Sequence, residues 1–544
     1  MTSSRLDAAA LQILIARLSG VAAEMSAVLR RSSFSPNIKE RADCSSAVFT
    51  ASGELLAQAE NIPVHLGSMP ASVLAVMDAV AADTTSGSDR PRAGDHWIVN
   101  DPFAGGTHLN DITVVTPCVL GGAVVGWVAN RAHHADVGGA APGSLPADAT
   151  EVFAEGLRIP AVRLTAEVRS LVLANSRTPT ERAGDLDAQV GANVRGATRL
   201  AEVIEQLGAD ATGQLDDVLD YGERRMRAAL TALTDGTWQV VDQLDSAGGG
   251  PDQRHGVRIM VTVTVKGDAI TFDFTGSDPQ TSGNVNAPAS VTLSSVVFAL
   301  RSAVDPSLPS NGGCLRAVTV VAPPGSVVAA LAPAAVGAGN VEVSQRVADV
   351  CLLALASVTP HSVGAASQGT MNNLLLGGTA PDGQTWVYYE TVGGGQGGRP
   401  TGAGMSGIHT VMTNTRNTPV EALERAFPVR VLRYRLRTDS GGAGRHVGGD
   451  GIERDVQLLA DATLSLITER RVTPPWGLGG GGAGAVGENW LLPQSDEARA
   501  ERLPDKCTIH LKAGDVLRML TPGGGGWGDP AWSNVGTEAG PPPE

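Results

Sequence analysis

The sequence predicts a multidomain α+β protein, with mixed and antiparallel sheets, packed helices and a glycine-rich, β-rich C-terminal part. Three observations point there. At 544 residues the chain exceeds the roughly 250–300 residues at which a single core stops growing. Apolar residues recur at helical spacing in some stretches and alternate every second residue in others. From Thr438 onward, short apolar runs lie between glycine clusters.

Between Leu6 and Arg31, Leu11, Ile13, Leu14, Leu18, Val21, Ala22, Met25, Val28 and Leu29 recur at three-to-four spacing, which predicts an amphipathic helix ending before Pro36. Strands over Ser45–Thr50 and Leu55–Gln58 flank an Ala-Ser-Gly-Glu turn, with Asp43 at the entrance of the first. His65 follows, and Ser68 and Pro70 open a second helix. A strand from His96 to Asn100 leads through Gly105 and Gly106 to a polar turn. There DITVVTPCVL and GAVVGWVANRAHH form a hairpin about Gly121-Gly122. Antiparallel strands return the chain to within about two spacings of ~4.8 Å, so His133 comes back towards His108. Helices between Leu200 and Leu233 divide near Gly208, and HGVRIMVTVTVKGDAITFDFTGSD alternates as a hairpin turning at Lys266–Asp268. Beyond it, helices over Val291–Val304 and Val343–Ala356 bracket a strand over Leu315–Val321. The GGGPDQ joint suggests domains of 1–248, 253–437 and 438–544, and the terminal GPPPE is expected to fray.

A net charge of -15 argues against nucleic acid or an anionic membrane as partner, because both demand clustered cations. Cys44, Cys118, Cys314, Cys351 and Cys507 form no CxxC pair and read as reduced thiols of a cytoplasmic protein. Neither an export signal nor a membrane span is expected. Four lysines, none placed as a P-loop lysine, leave TVGGGQGG without a nucleotide role. Its loop, with Arg399, His409, Asn414 and Arg416, could meet a polar substrate or a partner subunit, or could be tight turns alone. The glycine runs around Trp476 and Trp527 read as turn-rich surface. No GxSxG elbow occurs, and Cys44 is a weak nucleophile candidate.

The stretch from Val99 to Gly139 gathers Asp101, His108, Asp111, His133, His134 and Asp136 in a chain with ten histidines. Asp43, His108, Asp111 and His133 could close on one divalent ion, Zn, Mn, Fe or Co, two carboxylates balancing its charge. The competing reading makes His108 a loop residue and Asp101 and Asp111 turn caps. In an extended strand His133 and His134 face opposite ways, so one can ligate while the other serves as acid or base or is exposed. Asp136 could orient an imidazole. His65, with no acidic neighbour in sequence, reads as core or pocket wall.

The runs NIKERADCSSAVF, IPVHLGSMP, VNDPFAGGTHLNDITVVTP, HHADVGG, QGTMNN, YYETVGGGQGGRPTGAGMSGIHTVMTNTRNTP and TPGGGGWGDP span nearly the whole chain. On them the sequence resembles the B-subunit family of ATP-dependent hydantoinases and 5-oxoprolinases. The resemblance implies a hetero-oligomeric enzyme. An A-type subunit uses ATP to phosphorylate the carbonyl oxygen of a small cyclic amide, and the B-type subunit hydrolyses the activated ring. It carries the family's metal pattern onto Asp43, His108, Asp111 and His133, and His134 or Asp136 would then shuttle the proton. A related branch carboxylates ketones, and a non-catalytic scaffold for the A-type partner and a standalone metalloamidase are further alternatives. Cys44 and Ser45-Ser46 stand where the family often has an aromatic and Ser-Cys.

Overall fold

The computed structural model describes residues 6–59, 61–85, 90–248 and 255–531. Helix α1 (Ala8–Ser32) starts where the Asp7 carboxylate accepts the Ala10 N–H, and a short turn, α2 (Pro36–Lys39), leads into β1 (Cys44–Thr50) and β2 (Leu55–Ala59). Helix α3 (Met69–Thr85) precedes β3 (Trp97–Val99), β4 (Asp111–Leu120), β5 (Ala123–His133) and β6 (Val162–Arg163). Helices α4 (Ala166–Ala174), α5 (Pro179–Leu207) and α6 (Ala211–Thr231) follow.

These strands form one sheet, ordered β2-β1-β5-β4-β3-β6. Val48 and Val128 pack with Leu18 and Met25 of α1 and Leu200 of α5. Ala47, Trp127 and Ala129 pack with Met69, Val73 and Val76 of α3. Two-residue alternation along β5 therefore assigns each side chain to one layer or the other. By length and composition, α1 and the stretch Pro63–Asp83 are apolar enough to cross a membrane. Both lay their apolar faces on this sheet, as core helices do.

A second sheet, β10-β9-β8-β7, is built from β7 (Gly236–Ser246), β8 (His255–Lys266), β9 (Ala269–Asp273) and β10 (Val318–Val321), with β10 parallel to β9. Helices α7 (Ala289–Ala303) and α8 (Ser344–Ala356) share its core, and one π-helical turn, Gly339–Val343, leads into α8. The strand expected to begin at Leu315 starts at Val318 instead, after a 3₁₀ turn over Gly312–Ala317.

Beyond these lie β11 (Asn373–Thr379), β12 (Thr385–Thr391), α9 (Val420–Ala426), β13 (Val429–Arg437), β14 (Gly451–Leu458), β15 (Ala462–Ile467), β16 (Glu488–Leu492), β17 (Glu501–Leu503), β18 (Lys506–Leu511) and β19 (Val516–Leu520). They make two sheets, β12-β11-β15-β18 and β13-β14-β19-β16-β17, closed on a shared core including Leu374, Leu464, Val456 and Leu517.

Neither expected boundary separates sheets. β7 and β8 pair across the first, with most of its glycine joint and the GPPPE tail outside the described residues. The 437/438 division falls at the end of β13, which pairs with β14 beyond it.

The expectation of turn-rich surface is overturned for the glycine run before Trp527, while in the run after Trp476 the glycines Gly479, Gly480 and Gly482 are exposed. Gly523–Gly526 are buried. Gly398 N–H donates to the Gly525 carbonyl at 2.8 Å, and Gly525 N–H to that of Ala366 at 2.8 Å. A Cβ on Gly524 would lie 2.1 Å from the Gln396 carbonyl oxygen. Backbone packs directly on backbone here, which only glycine permits.

Candidate metal centre

β4 opens on Asp111 and β5 closes on His133, and the register sets the two opposite one another. His108 enters from the preceding loop, whose bend is made at Gly105 with φ 87°. A Cβ there would meet the Ala71 carbonyl carbon at 2.4 Å. Three groups converge as a result. His108 Nε2 lies 3.1 Å from His133 Nδ1, and Asp111 Oδ1 lies 3.3 Å from each nitrogen. All three residues are buried.

Ligand atoms held tetrahedrally at about 2.0–2.1 Å from an ion stand about 3.3 Å apart, and the triangle has that size. Asp111 Oδ1 and His133 Nε2 have no hydrogen-bond partner among the described residues. Burial would raise the Asp111 carboxyl, but His108, His133 and His65 beside it hold it well below the usual carboxylate range. Burial also pushes His133 down, towards the neutral imidazole that a metal requires.

The surrounding contacts fix these side chains. His65 Nε2 stands 3.3 Å from Asp111 Oδ2, while its Nδ1 meets Ser45 Oγ at 2.9 Å. The Tyr389 ring stacks on His133 at 4.5 Å. Asn340, from the π-helical turn, places its amide 3.1 Å from His108 Nδ1. An ion on Nε2 would leave the proton on Nδ1. Turning the Asn340 amide over would bring its otherwise unpartnered Oδ1 to accept that proton.

Of the residues singled out in the sequence, His108, Asp111 and His133 come together with ligand atoms within 4.8 Å of one another. Asp43 lines the same cavity of about 20 Å³. Its carbonyl accepts the His133 N–H at 3.0 Å, and Arg41 Nη2 lies 4.0 Å from its carboxylate. Asp101 caps the turn Pro102–Ala104 through the Phe103 N–H.

His134 and Asp136 lie elsewhere, which corrects their expected role as proton carriers. His134 follows β5 onto the opposite layer, where Nε2 contacts Gln189 Oε1 of α5 at 2.9 Å. Asp136 accepts from the Arg177 guanidinium at 2.9 Å and from the backbone N–H groups of Arg177 and Gly138. Cys44 is buried and its thiol is pushed up to about 12 by that burial, so it supplies no thiolate. Arg399, His409 and Asn414 line a larger chamber of about 590 Å³, which the metal cavity adjoins at Thr413. Arg416 is exposed, and its N–H donates to the Arg41 carbonyl.

Sequence reasoning missed Asn340 and Tyr389 and took His65 for a wall without an acidic neighbour. Spacing holds no signal for any of them, since their partners are distant in the chain. Tyr389 does fall within one of the runs that carried the family resemblance.

Residues 7–530 match the hydantoinase B/oxoprolinase family. The chain belongs to that family. An uncharacterized family protein of Methanocaldococcus jannaschii is 40% identical over 96% of this chain and 91% of its own length. 5-oxoprolinase 1 of Arabidopsis thaliana is 37% identical over 96% of this chain, which spans 42% of that protein. Among solved structures, the ATP-dependent caprolactamase of Pseudomonas jessenii superimposes with a TM-score of 0.89 and 28% identity, covering 98% of this chain and 93% of that one. The caprolactamase thus shares the multidomain α+β fold described above.

Proposed function

We propose that this family member is the metal-bearing component of an ATP-dependent cyclic-amide hydrolase, completing the opening of a ring whose carbonyl oxygen a separate A-type subunit has phosphorylated. The observation that carries the reading is the buried triangle of His108 Nε2, His133 Nδ1 and Asp111 Oδ1. Its donor set and size suit a divalent ion of the zinc, manganese, iron or cobalt kind, with Asp43 as fourth ligand. When bound, such an ion would supply Lewis acidity that makes hydroxide available near neutral pH.

The chain's own residues do the rest. Asp111 contributes the negative charge, His65 and Ser45 hold its orientation, and Tyr389 fixes the His133 ring. Activation of the ring favours the step, because resonance makes an unmodified amide carbonyl a poor electrophile, and phosphorylating its oxygen removes that resonance.

The test purifies the chain with its A-type partner and measures metal content and ATP-dependent opening of 5-oxoproline, hydantoin and ε-caprolactam. About one metal per chain, with ring opening abolished in Asp111→Ala and His108→Ala, is expected. Full turnover by metal-free or doubly substituted protein would overturn the reading and favour a scaffold.

A further inference from the structure

The π-helical turn Gly339–Val343 is wholly buried, and the Ser344 N–H that follows it donates back to the Gly339 carbonyl. Turns of this kind are rare and occur mostly singly, within α-helices and often at functional sites. This one is anchored at its entrance. The Glu155 carboxyl accepts the Val336 and Gly337 N–H groups at 3.0 and 2.8 Å. A Cβ on Gly339 would lie 1.9 Å from the Asn286 carbonyl oxygen, so the backbone there has no room to shift.

Two side chains leave the turn in diverging directions, as positions two apart on a helix do. Asn340 reaches His108, its amide nitrogen 3.1 Å from Nδ1. Glu342 reaches the other imidazole by a longer route. Its Oε1 accepts the Asn373 side-chain N–H at 2.8 Å and the Met371 backbone N–H at 3.2 Å. Asn373 also donates to the Ile467 carbonyl at 2.9 Å. A backbone carbonyl only accepts, so this bond fixes which end of the amide is nitrogen. The oxygen end then faces Tyr389, whose hydroxyl donates to Asn373 Oδ1 at 3.0 Å. In the β11–β12 ladder Asn373 lies opposite Thr391 and Tyr389 opposite Leu375, which makes the two diagonal neighbours. The Tyr389 ring in turn stacks on His133 with 20° between the planes.

A second, independent observation is the carboxyl itself. Glu342 is fully buried, and its Oε2 has no hydrogen-bond partner among the described residues. An unserved buried polar atom is costly, and a position that only packed would be apolar, as Val341 and Val343 on either side are. Burial first, and Glu469 next, push this carboxyl up to about 8. Near neutral pH it is therefore mainly the uncharged acid, and it serves Asn373 as a plain acceptor.

We infer that the π-helical turn is the positioning element of the metal centre and that Glu342 is its positioning residue for His133. Asn340 sets His108, while the line from Glu342 through Asn373 to Tyr389 sets the plane of the His133 ring. One turn thereby fixes the 66° between the two imidazoles. The inference deepens the hydrolase reading and rests on it for the presence of an ion at the triangle.

The experiment strips metal from the complex with its A-type partner and titrates Co²⁺ back. It reads affinity and the visible absorption that reports the ion's geometry. Glu342→Leu and Asn340→Ala should each weaken Co²⁺ about tenfold or more, the usual contribution of groups that orient a ligand. Glu342→Gln keeps the acceptor and should hold affinity within about twofold of the parent, with the parent's spectrum. Tyr389→Phe removes one hydroxyl from the same line. It should weaken Co²⁺ about fivefold in the parent and less than about twofold in Glu342→Leu, whereas Asn340→Ala should cost about the same factor in both backgrounds. Should Glu342→Leu fail to fold, Asn373→Ala takes its place in this cycle. Affinity and spectrum unchanged in Glu342→Leu, equal losses in Glu342→Gln and Glu342→Leu, or equal losses from Tyr389→Phe in both backgrounds would overturn the inference. Thermal midpoints of the metal-free variants show separately whether they are folded. Failure of the hydrolase reading is distinguishable: a complex that loses Co²⁺ in this pattern yet opens no ring retains the positioning and loses the reaction. A parent that binds no Co²⁺ removes the metal centre and this inference with it.

Discussion

His65 touches the metal triangle only through Asp111, with Ser45 on its other nitrogen. Partners of this kind fix a ligand's orientation, and losing one typically weakens metal binding 10–100-fold. His65→Ala should therefore retain the fold while releasing metal to a chelator at a concentration about 10–100-fold lower than the parent requires. Glu342, four residues before the Arg346 ion pairs, behaves differently. Burial first, and then Glu469 nearby, push its carboxyl up to about 8 from an ordinary 4.5. Between those values the folded chain keeps a proton that the unfolded chain has released. The stability this group contributes is thus complete below pH 4.5 and lost as pH rises to about 8. In Glu342→Gln, the fall in urea midpoint between pH 5 and pH 8 should be shallower than in the parent.

At the scale of elements, α5 shows what a sequence makes legible and what it hides. Apolar periodicity located its second half, near Leu200, yet the helix starts at Pro179. Its first half buries Arg182, Asp185, Gln189 and Asn193, a polar stripe with the right period that a search for apolar residues passes over. Asn193 donates to the Val114 carbonyl and the Thr116 hydroxyl while accepting from Asn130. Asn193→Ala would take one hydrogen bond from each of three buried partners, and a loss of about 1–3 kcal/mol in denaturant unfolding is expected. The β4–β5 hairpin was readable because its Gly-Gly turn and the two apolar runs beside it are local, and it delivered His108, Asp111 and His133. β7 escaped although its exposure alternates along most of its length. It follows directly on a helix, and its polar residues Gln239, Asp242 and Gln243 dilute the pattern.

Across the whole molecule, the second sheet and the C-terminal sheets are joined by buried charge. Glu469 pairs with Lys506 at 2.6 Å and Arg346 at 3.3 Å, and Arg470 pairs with Asp349 at 2.6 Å and Asp242 at 3.0 Å. These residues come from β7, α8, β18 and the segment after β15, so removing one charge leaves others uncompensated in several layers. Glu469→Ala is expected to cost about 3–5 kcal/mol, and calorimetry should show both sheets melting earlier together. Nothing in the sequence announces this network, because its members are scattered and each alone reads as a surface charge. The run Gly523–Gly526 adds an order in time. It follows every described strand in the chain, yet its backbone bonds to Ala366, Gly398 and Gly449 and backs the wall that carries Trp476. During synthesis, which proceeds at about 5–20 residues per second, the nascent protein can assemble its metal triangle well before this strip leaves the ribosome. His108, Asp111 and His133 are thus made early and the chamber beside them is finished last, so an unfinished polypeptide can hold the triangle before it has the chamber.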